Sequence, residues 1–266
     1  MKQILGKLET QFFAYVQMRN LVIVRADEMQ RALGLTNAQT LELFRRLTKG
    51  RLIARVRPGL YLVPSRLPLG GAWTPSEIAA LNALISRDGG QYQICGPNAF
   101  NRYGFDNQIP NRTYAYNDRI SGERRVGSVL LTLIEVSRER LGSVEEVKTP
   151  EGEIGFYSSR VRTLVDAVYD WSRFNTLPRA YSWIENELKA KRVKAADLVK
   201  VSISYGDIAT IRRVGFFLTR IGIRKSVLSG LIGAIRPTTS FIPLYPNKAQ
   251  RGVINRRWGI LDNGDW

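Results

Sequence analysis

Residues 27–64 read DEMQRALGLTNAQTLELFRRLTKGRLIARVRPGLYLVP. The short apolar-periodic run from Asp27 to Leu33 ends at Gly34, which supplies the positive φ favoured after a helix C-terminus. Asp27 is placed to cap that helix. Thr36 or Asn37 caps the next one, which runs from Asn37 to Lys49. Ala38, Leu41, Phe44 and Leu47 make its apolar stripe, leaving Leu43 on the outer face. Two strands follow, Leu52 to Val56 and Leu60 to Val63, joined by the turn pair Pro58-Gly59 and stopped by Pro64. Helix, tight turn, helix and hairpin is the order of elements in a winged helix-turn-helix.

Upstream, residues 1–19 set Ile4, Leu5, Leu8, Phe12, Tyr15 and Val16 at three- and four-residue steps, which predicts a support helix. Val22-Ile23-Val24 predicts a small strand for the wing sheet. In the second helix of the quoted stretch, the polar residues Thr36, Asn37, Gln39 and Thr40 lie at the N-terminal end. A recognition helix that enters the major groove by that end reads base edges there. Arg45, Arg46 and Lys49 lie further along, and Arg55 and Arg57 lie beside the hairpin tip. These cations are expected to hold phosphates, with Arg55 or Arg57 in a minor groove. An ordinary amphipathic surface helix shows a similar pattern, so the charge distribution has to decide.

The formal net charge is +17 and the pI is near 10.3. Residues 1–70 hold 12 Lys and Arg against 4 Asp and Glu, residues 71–206 hold 18 against 16, and residues 207–266 hold 10 against 3. No carboxylate lies between Glu42 and Glu77, nor between Asp207 and Asp262. Solvated faces usually mix both signs, so two long acid-free stretches favour a polyanion partner. There is no histidine, and Cys95 is the one cysteine. That excludes an internal disulfide, a Cys/His zinc site and imidazole-based catalysis. No catalytic, cofactor or metal residue is assigned. No apolar run reaches the roughly 18 residues of a membrane span. Lys7 and Glu9 interrupt the segment where a signal peptide would be apolar, so the expected location is the cytoplasm.

Residues 65–75, SRLPLGGAWTP, are rich in Pro and Gly and mark a boundary between a domain at 1–68 and a domain at 72–266. The second opens with a helix from Pro75 to Ser86, then a strand from Gln91 to Cys95 and a helical turn from Pro97 to Tyr103. Arg112 to Tyr116, Val129 to Val136, Val144 to Lys148 and Ile154 to Tyr157 read as strands. Helical spacing then dominates at 159–173, 178–191, 194–204, 207–221 and 224–234, before short extended runs from Phe241 to Trp266. The expectation is an α+β protein: an N-terminal winged helix-turn-helix, then a mixed α/β domain with a small sheet and a run of helices. Trp171 and Trp183 fall in amphipathic helices and read as core residues, and Cys95 as a buried small hydrophobe. Arg212, Arg213, Arg220, Arg224 and Lys225 follow one another on consecutive helices and read as a second basic patch. The competing possibility is that Arg212 or Arg213 pairs with Asp166 or Asp170 inside the domain.

The motif RPGLYLVP after a short recognition helix resembles the wing of AbiEi-family antitoxins, the repressors of type IV toxin-antitoxin (abortive infection) systems. Cys95-Gly96-Pro97-Asn98-Ala99 with Tyr103-Gly104-Phe105 is similar to the strand-to-helix entry of that family's second domain. The segment Tyr157 to Ala167 is similar to its helix with arginine followed by leucine-hydrophobic-aspartate. Arg212 to Leu218 is similar to its arginine-leucine-glycine helix, and Asn255 to Ile260 to its closing asparagine-x-x-tryptophan strand. The resemblance implies a transcriptional regulator that binds double-stranded DNA at inverted repeats in its own operator. It implies a nucleotidyltransferase-like toxin as functional partner, neutralised without a stable complex. It also implies a monomer in solution that pairs cooperatively on DNA, with no membrane partner and no cofactor.

The alternative is an RNA-binding or metal-dependent nuclease-like protein that uses its C-terminal domain. Glu146-Val147-Lys148 resembles half of a carboxylate-metal nuclease motif, with Asp118 or Glu135 as partner. Such three-residue patterns arise readily by chance in charged hairpins.

Overall fold

In chain order the N-terminal elements are α1 (Lys7–Met18), β1 (Ile23–Arg25), α2 (Ala26–Ala32), α3 (Asn37–Lys49), β2 (Ala54–Arg57) and β3 (Leu60–Leu62). Next come α4 (Glu77–Leu84), β4 (Tyr92–Ile94), α5 (Gly96–Arg102), β5 (Thr113–Asn117), β6 (Gly122–Val126), β7 (Val129–Glu135), β8 (Val144–Lys148) and β9 (Ile154–Ser158). Then follow α6 (Arg160–Tyr169), α7 (Trp171–Phe174), α8 (Arg179–Lys189), α9 (Ala195–Tyr205), α10 (Ile208–Arg220) and α11 (Lys225–Ala234). The chain closes with β10 (Ile242–Pro243), β11 (Val253–Asn255) and β12 (Ile260–Asp262). The computed structural model describes residues 5–67, 72–237 and 239–264. Ile4, positions 68–71 of the Pro/Gly-rich stretch, and Trp266 lie outside the described residues. The fold class is α+β, and no described helix is long and apolar enough to cross a membrane.

Contacts divide the chain into two compact units, neither of them contiguous. The first runs through Tyr92 and adds Asn111–Val136 and Glu146–Gly155. The second takes Gln93–Pro110, Ser137–Glu145 and the chain from Phe156 onward. The division therefore does not fall at the Pro/Gly-rich stretch, as the composition suggests, because later strands join the N-terminal elements.

Four aromatic rings centre the core of the first unit. Phe12 meets Phe13 edge-on at 5.2 Å between centroids and Phe44 at 5.6 Å, and Phe44 stacks on Tyr61 at 4.3 Å. The sheet order is β1-β3-β2, antiparallel throughout, with a bulge at Val56 between the paired Arg55 and Arg57. Gly59 (φ 75°) turns the hairpin, and its carbonyl accepts from Ala26 N at 2.9 Å. Arg25, not Asp27, occupies the N-cap position of α2. Asp27 instead lies in the first turn, where a carboxylate favours the helix dipole, and meets Arg31 at 3.5 Å.

In α3 the buried face is Thr40, Leu43, Phe44 and Leu47, whereas Ala38 and Leu41 are exposed. The three-residue steps of the expected stripe fall short of a 3.6-residue turn, so that stripe wraps around the helix. The spacing i, i+3, i+4, i+7 stays on one side and wins. Thr40 tolerates burial because its hydroxyl donates to Thr36 O at 2.9 Å.

In the second unit, α6 to α11 enclose a core that includes Leu164, Val168, Tyr181, Phe217 and Trp258. Trp171 and Trp183 pack against it, partly buried, and Cys95 is fully buried. Arg162, 0% exposed, donates through Nε to both carboxylate oxygens of Asp166 at 2.9 and 3.0 Å. Its remaining nitrogens reach Gly142 O and Arg140 O, and Arg140 Nη2 also meets Asp166 at 2.9 Å. A buried charge pair of this kind is tolerated only when its hydrogen bonds are made. The arginine–aspartate motif of α6 is thus a structural pair. On α10, a Cβ added at Gly215 would stand 2.1 to 2.6 Å from the Trp258 ring. That ring is fixed by Nε1 donating to Thr219 Oγ1 at 3.0 Å and by Trp258 N donating to Asn255 Oδ1 at 3.1 Å. The glycine motif and the asparagine-x-x-tryptophan motif are therefore two halves of one contact. The closing sheet has the order β10-β12-β11, parallel then antiparallel.

Candidate nucleic-acid interface

Thr36 caps α3 in a reciprocal box: Gln39 N donates to Thr36 Oγ1 at 3.3 Å and Thr36 N donates to Gln39 Oε1 at 2.9 Å. Asn37 and Gln39 are exposed, although the Gln39 carbonyl is occupied by the cap. Thr40, expected to read bases, is 2% exposed and cannot reach them. The outward surface of α3 carries Ala38, Leu41, Glu42, Arg45 and Lys49, with Leu41 62% exposed. Arg45 grips Glu42 at 2.7 Å, which holds that carboxyl below its ordinary range. Arg46 reaches Glu9 at 3.5 Å and Glu42 at 3.9 Å. Both arginines thus already have carboxylate partners, whereas no described residue forms an ion pair with Lys49.

Beyond α3 the first unit carries a concave surface of about 690 Å³. Lys49, Arg51, Arg55, Arg57 and Arg125 line it, together with Trp73 and Ser128. The local folding explains the convergence. Lys49 ends α3, and Arg51 takes a left-handed turn (φ 55°) immediately after it. Trp73 N donates to Arg51 O at 2.8 Å, which fixes that turn. Arg55 and Arg57 come from β2, and Arg125 from β6. Gly127 (φ 62°) joins β6 to β7 so closely that a Cβ there would lie 3.1 Å from Ala54 Cβ. Arg57 enters the surface bound to Asp88 through two contacts, 2.6 and 3.2 Å. The hydrogen bond from Arg57 pulls the Asp88 carboxyl down and raises the Arg57 guanidinium. Of the five cations, Lys49, Arg51, Arg55 and Arg125 form no ion pair among the described residues.

Sequence reasoning missed Arg51 and Arg125 as site residues. Arg51 lay in the acid-free run but outside any element. Arg125 lies on β6, whose burial pattern (four exposed residues, then Val126) carries no alternation to reveal a strand.

The second basic patch does not assemble on one surface. Arg212 is 8% and Arg213 6% exposed. Arg213 donates to Pro243 O at 3.3 Å with its guanidinium 5.8 Å from the Trp171 ring, and burial lowers its pKa. Arg220 pairs with Asp262 at 2.8 Å, while Arg224 and Lys225 are exposed. Asp166 is taken by Arg162 and Arg140, and Asp170 meets Arg173 at 3.6 Å, so neither holds Arg212 or Arg213. Among the described residues, no three carboxylate, Cys or His groups, including Glu146, Asp118 and Glu135, converge as a metal site.

No family model matches the chain, and no curated protein matches it. The fold is similar to that in the crystal structure of RV2827C protein from Mycobacterium tuberculosis, with a TM-score of 0.59 over 98% of this chain and 93% of that one. Identity across the match is 12%, so the likeness is one of fold.

Proposed function

We propose that α1 to β3 form a winged helix-turn-helix and that the protein is a sequence-specific repressor binding double-stranded DNA. The observation that carries this reading is the convergence of Lys49, Arg51, Arg55 and Arg125 on one concave surface beside the C-terminal end of α3. In this reading α3 is the recognition helix. Its N-terminal half offers Asn37 and the Gln39 amide N–H to base edges, and Leu41 and Ala38 to thymine methyl groups. The cations of the concave surface hold the phosphates on either side.

The resemblance to AbiEi-family antitoxins extends the proposal. The protein then represses its own operon through inverted repeats and neutralises a nucleotidyltransferase-like toxin without holding it in a stable complex. The motifs behind the resemblance include core contacts of the second unit, Arg162 with Asp166 and Gly215 with Trp258. An electrophoretic shift against the protein's own upstream region, a random duplex and RNA of equal length tests the first part. The own upstream duplex is expected to bind at least tenfold more tightly than either competitor. Equal affinity for all three overturns the repressor reading. Co-expression with a neighbouring nucleotidyltransferase-like reading frame tests the second part, and a failure to restore growth overturns it.

A further inference from the structure

The second unit contains a second, smaller concavity of about 280 Å³. Arg212, Arg236, Arg256 and Arg257 line it, beside Ile232 and Trp258. We propose that this is a binding pocket for a small phosphorylated anion, a diphosphate or a nucleoside polyphosphate. No carboxylate lines it, and no described residue forms an ion pair with any of the four arginines. Arg212 is 8% exposed, and its Nε has no hydrogen-bond partner. A buried guanidinium donor left unmatched is costly, so Arg212 gains more than an exposed arginine from an anion drawn into the pocket beside it. The same helix shows the contrast: Arg213 donates to Pro243 O, and Arg220 has Asp262.

Two contacts hold the Trp258 side of the pocket. Gly215, one turn beyond Arg212, receives the Trp258 ring, and Asn255 Oδ1 fixes the backbone of Trp258 directly after Arg256 and Arg257. Guanidinium forks match phosphate oxygens two at a time, and apolar neighbours such as Ile232 and Trp258 strengthen the attraction by excluding water. The size of the ligand follows from Arg212. A duplex backbone rides over a surface and can meet the exposed Arg256 and Arg257, but not a side chain so deeply buried. The cavity of about 280 Å³ instead suits a small anion. The pocket is independent of the DNA-binding reading, since the two ligands are measured separately.

The test is calorimetric titration of the full chain with inorganic phosphate, pyrophosphate and ATP, without divalent cations. Sodium chloride at matched ionic strength is the control. Pyrophosphate and ATP are expected to bind. The exposed-residue variant Arg256→Ala/Arg257→Ala is expected to weaken them at least tenfold, and Arg212→Gln likewise. Arg224→Ala/Lys225→Ala, which removes two exposed cations outside the pocket, is expected to change nothing. Equal binding of pyrophosphate and ATP supports recognition of the phosphates alone, and tighter ATP binding supports a pocket that also holds the nucleoside. If Arg212→Gln fails to fold, the exposed pair decides. The proposal is overturned if chloride reproduces the signal or if the Arg224/Lys225 variant loses as much. It is also overturned if the Arg256/Arg257 variant loses affinity for duplex DNA while pyrophosphate binding is unchanged.

Discussion

Thr40 and Leu41 are neighbours in sequence with opposite fates: one is sealed under α3 by the Thr36 carbonyl, and the other stands out in solvent. Substitutions should separate them. Leu41→Ala and Asn37→Ala are expected to relax discrimination by about 1–3 kcal/mol at the base each meets, with unfolding midpoints unchanged. Thr40→Ala is expected to lower the urea midpoint while leaving the ratio of specific to random binding intact. A lost ratio in Thr40→Ala with normal stability would restore Thr40 as a reader. Glu153 supplies a titration test. Partial burial raises its pKa, even though Ser76 donates to the carboxylate at 3.2 Å. A raised carboxyl pKa means that the folded state prefers the protonated form. Its ionisation therefore costs stability above the folded pKa, and that cost disappears below the unfolded value of about 4.3. Glu153→Gln should thus stabilise the protein at neutral pH, by an amount that shrinks to nothing as pH falls through that window. Thermal melts at closely spaced pH values check the sign, and a Gln variant that is less stable at neutral pH contradicts it.

Elements whose pattern is set by burial on one side were legible in the sequence. The helices from α6 to α11 fall on the segments of helical spacing, with 159–173 dividing into α6 and α7; α8 and α9 each bury one stripe, whereas α6 and α10 are buried nearly all round. Two things misled: the phase of α3 and the existence of β6. In α3, Thr40 counted as polar and Leu41 as core, since a local hydrogen bond to a backbone carbonyl is invisible in a sequence. The strand β6 went unread because four of its five residues face solvent and offer no apolar alternation. The pairing of α10 with the loop before β12 was legible only as two unconnected motifs. Its energetics can be measured. Gly215→Ala places a methyl group where the Trp258 ring lies and should cost about 1–3 kcal/mol by overpacking. Combining it with Trp258→Leu should cost less than the sum of the two single changes. Strict additivity in urea denaturation would show that the two residues do not share this space.

Charge was the most legible property of the whole chain and the least specific. A net +17 with acid-free stretches near both ends gave the expectation of two basic surfaces. The stretch near the N-terminus does supply one, but its cations lie at the end of α3, on the turn after it, on β2 and, unexpectedly, on β6. The stretch near the C-terminus divides instead. Arg213 and Arg220 are consumed by internal partners, and Arg212 joins residues that were not singled out. Counting charge therefore overstates what a polyanion can meet, and the exposed cations without ion-pair partners give the better estimate. Each phosphate neutralised on B-DNA contributes about 0.9 to the slope of log K against log salt. Lys49, Arg51, Arg55 and Arg125, which lack ion-pair partners, should together contribute about three to four to that slope. The fourfold alanine variant is expected to lose that much slope on specific and random duplexes alike. Arg57→Ala alone should change it by less than any one of the four, because Arg57 is already bound to Asp88. Asp88→Asn should increase salt sensitivity by releasing that guanidinium. Filter-binding titrations across a tenfold range of salt measure all three. An unchanged slope in the fourfold variant, or a loss found only in Arg224→Ala/Lys225→Ala, would place the polyanion surface elsewhere on the molecule.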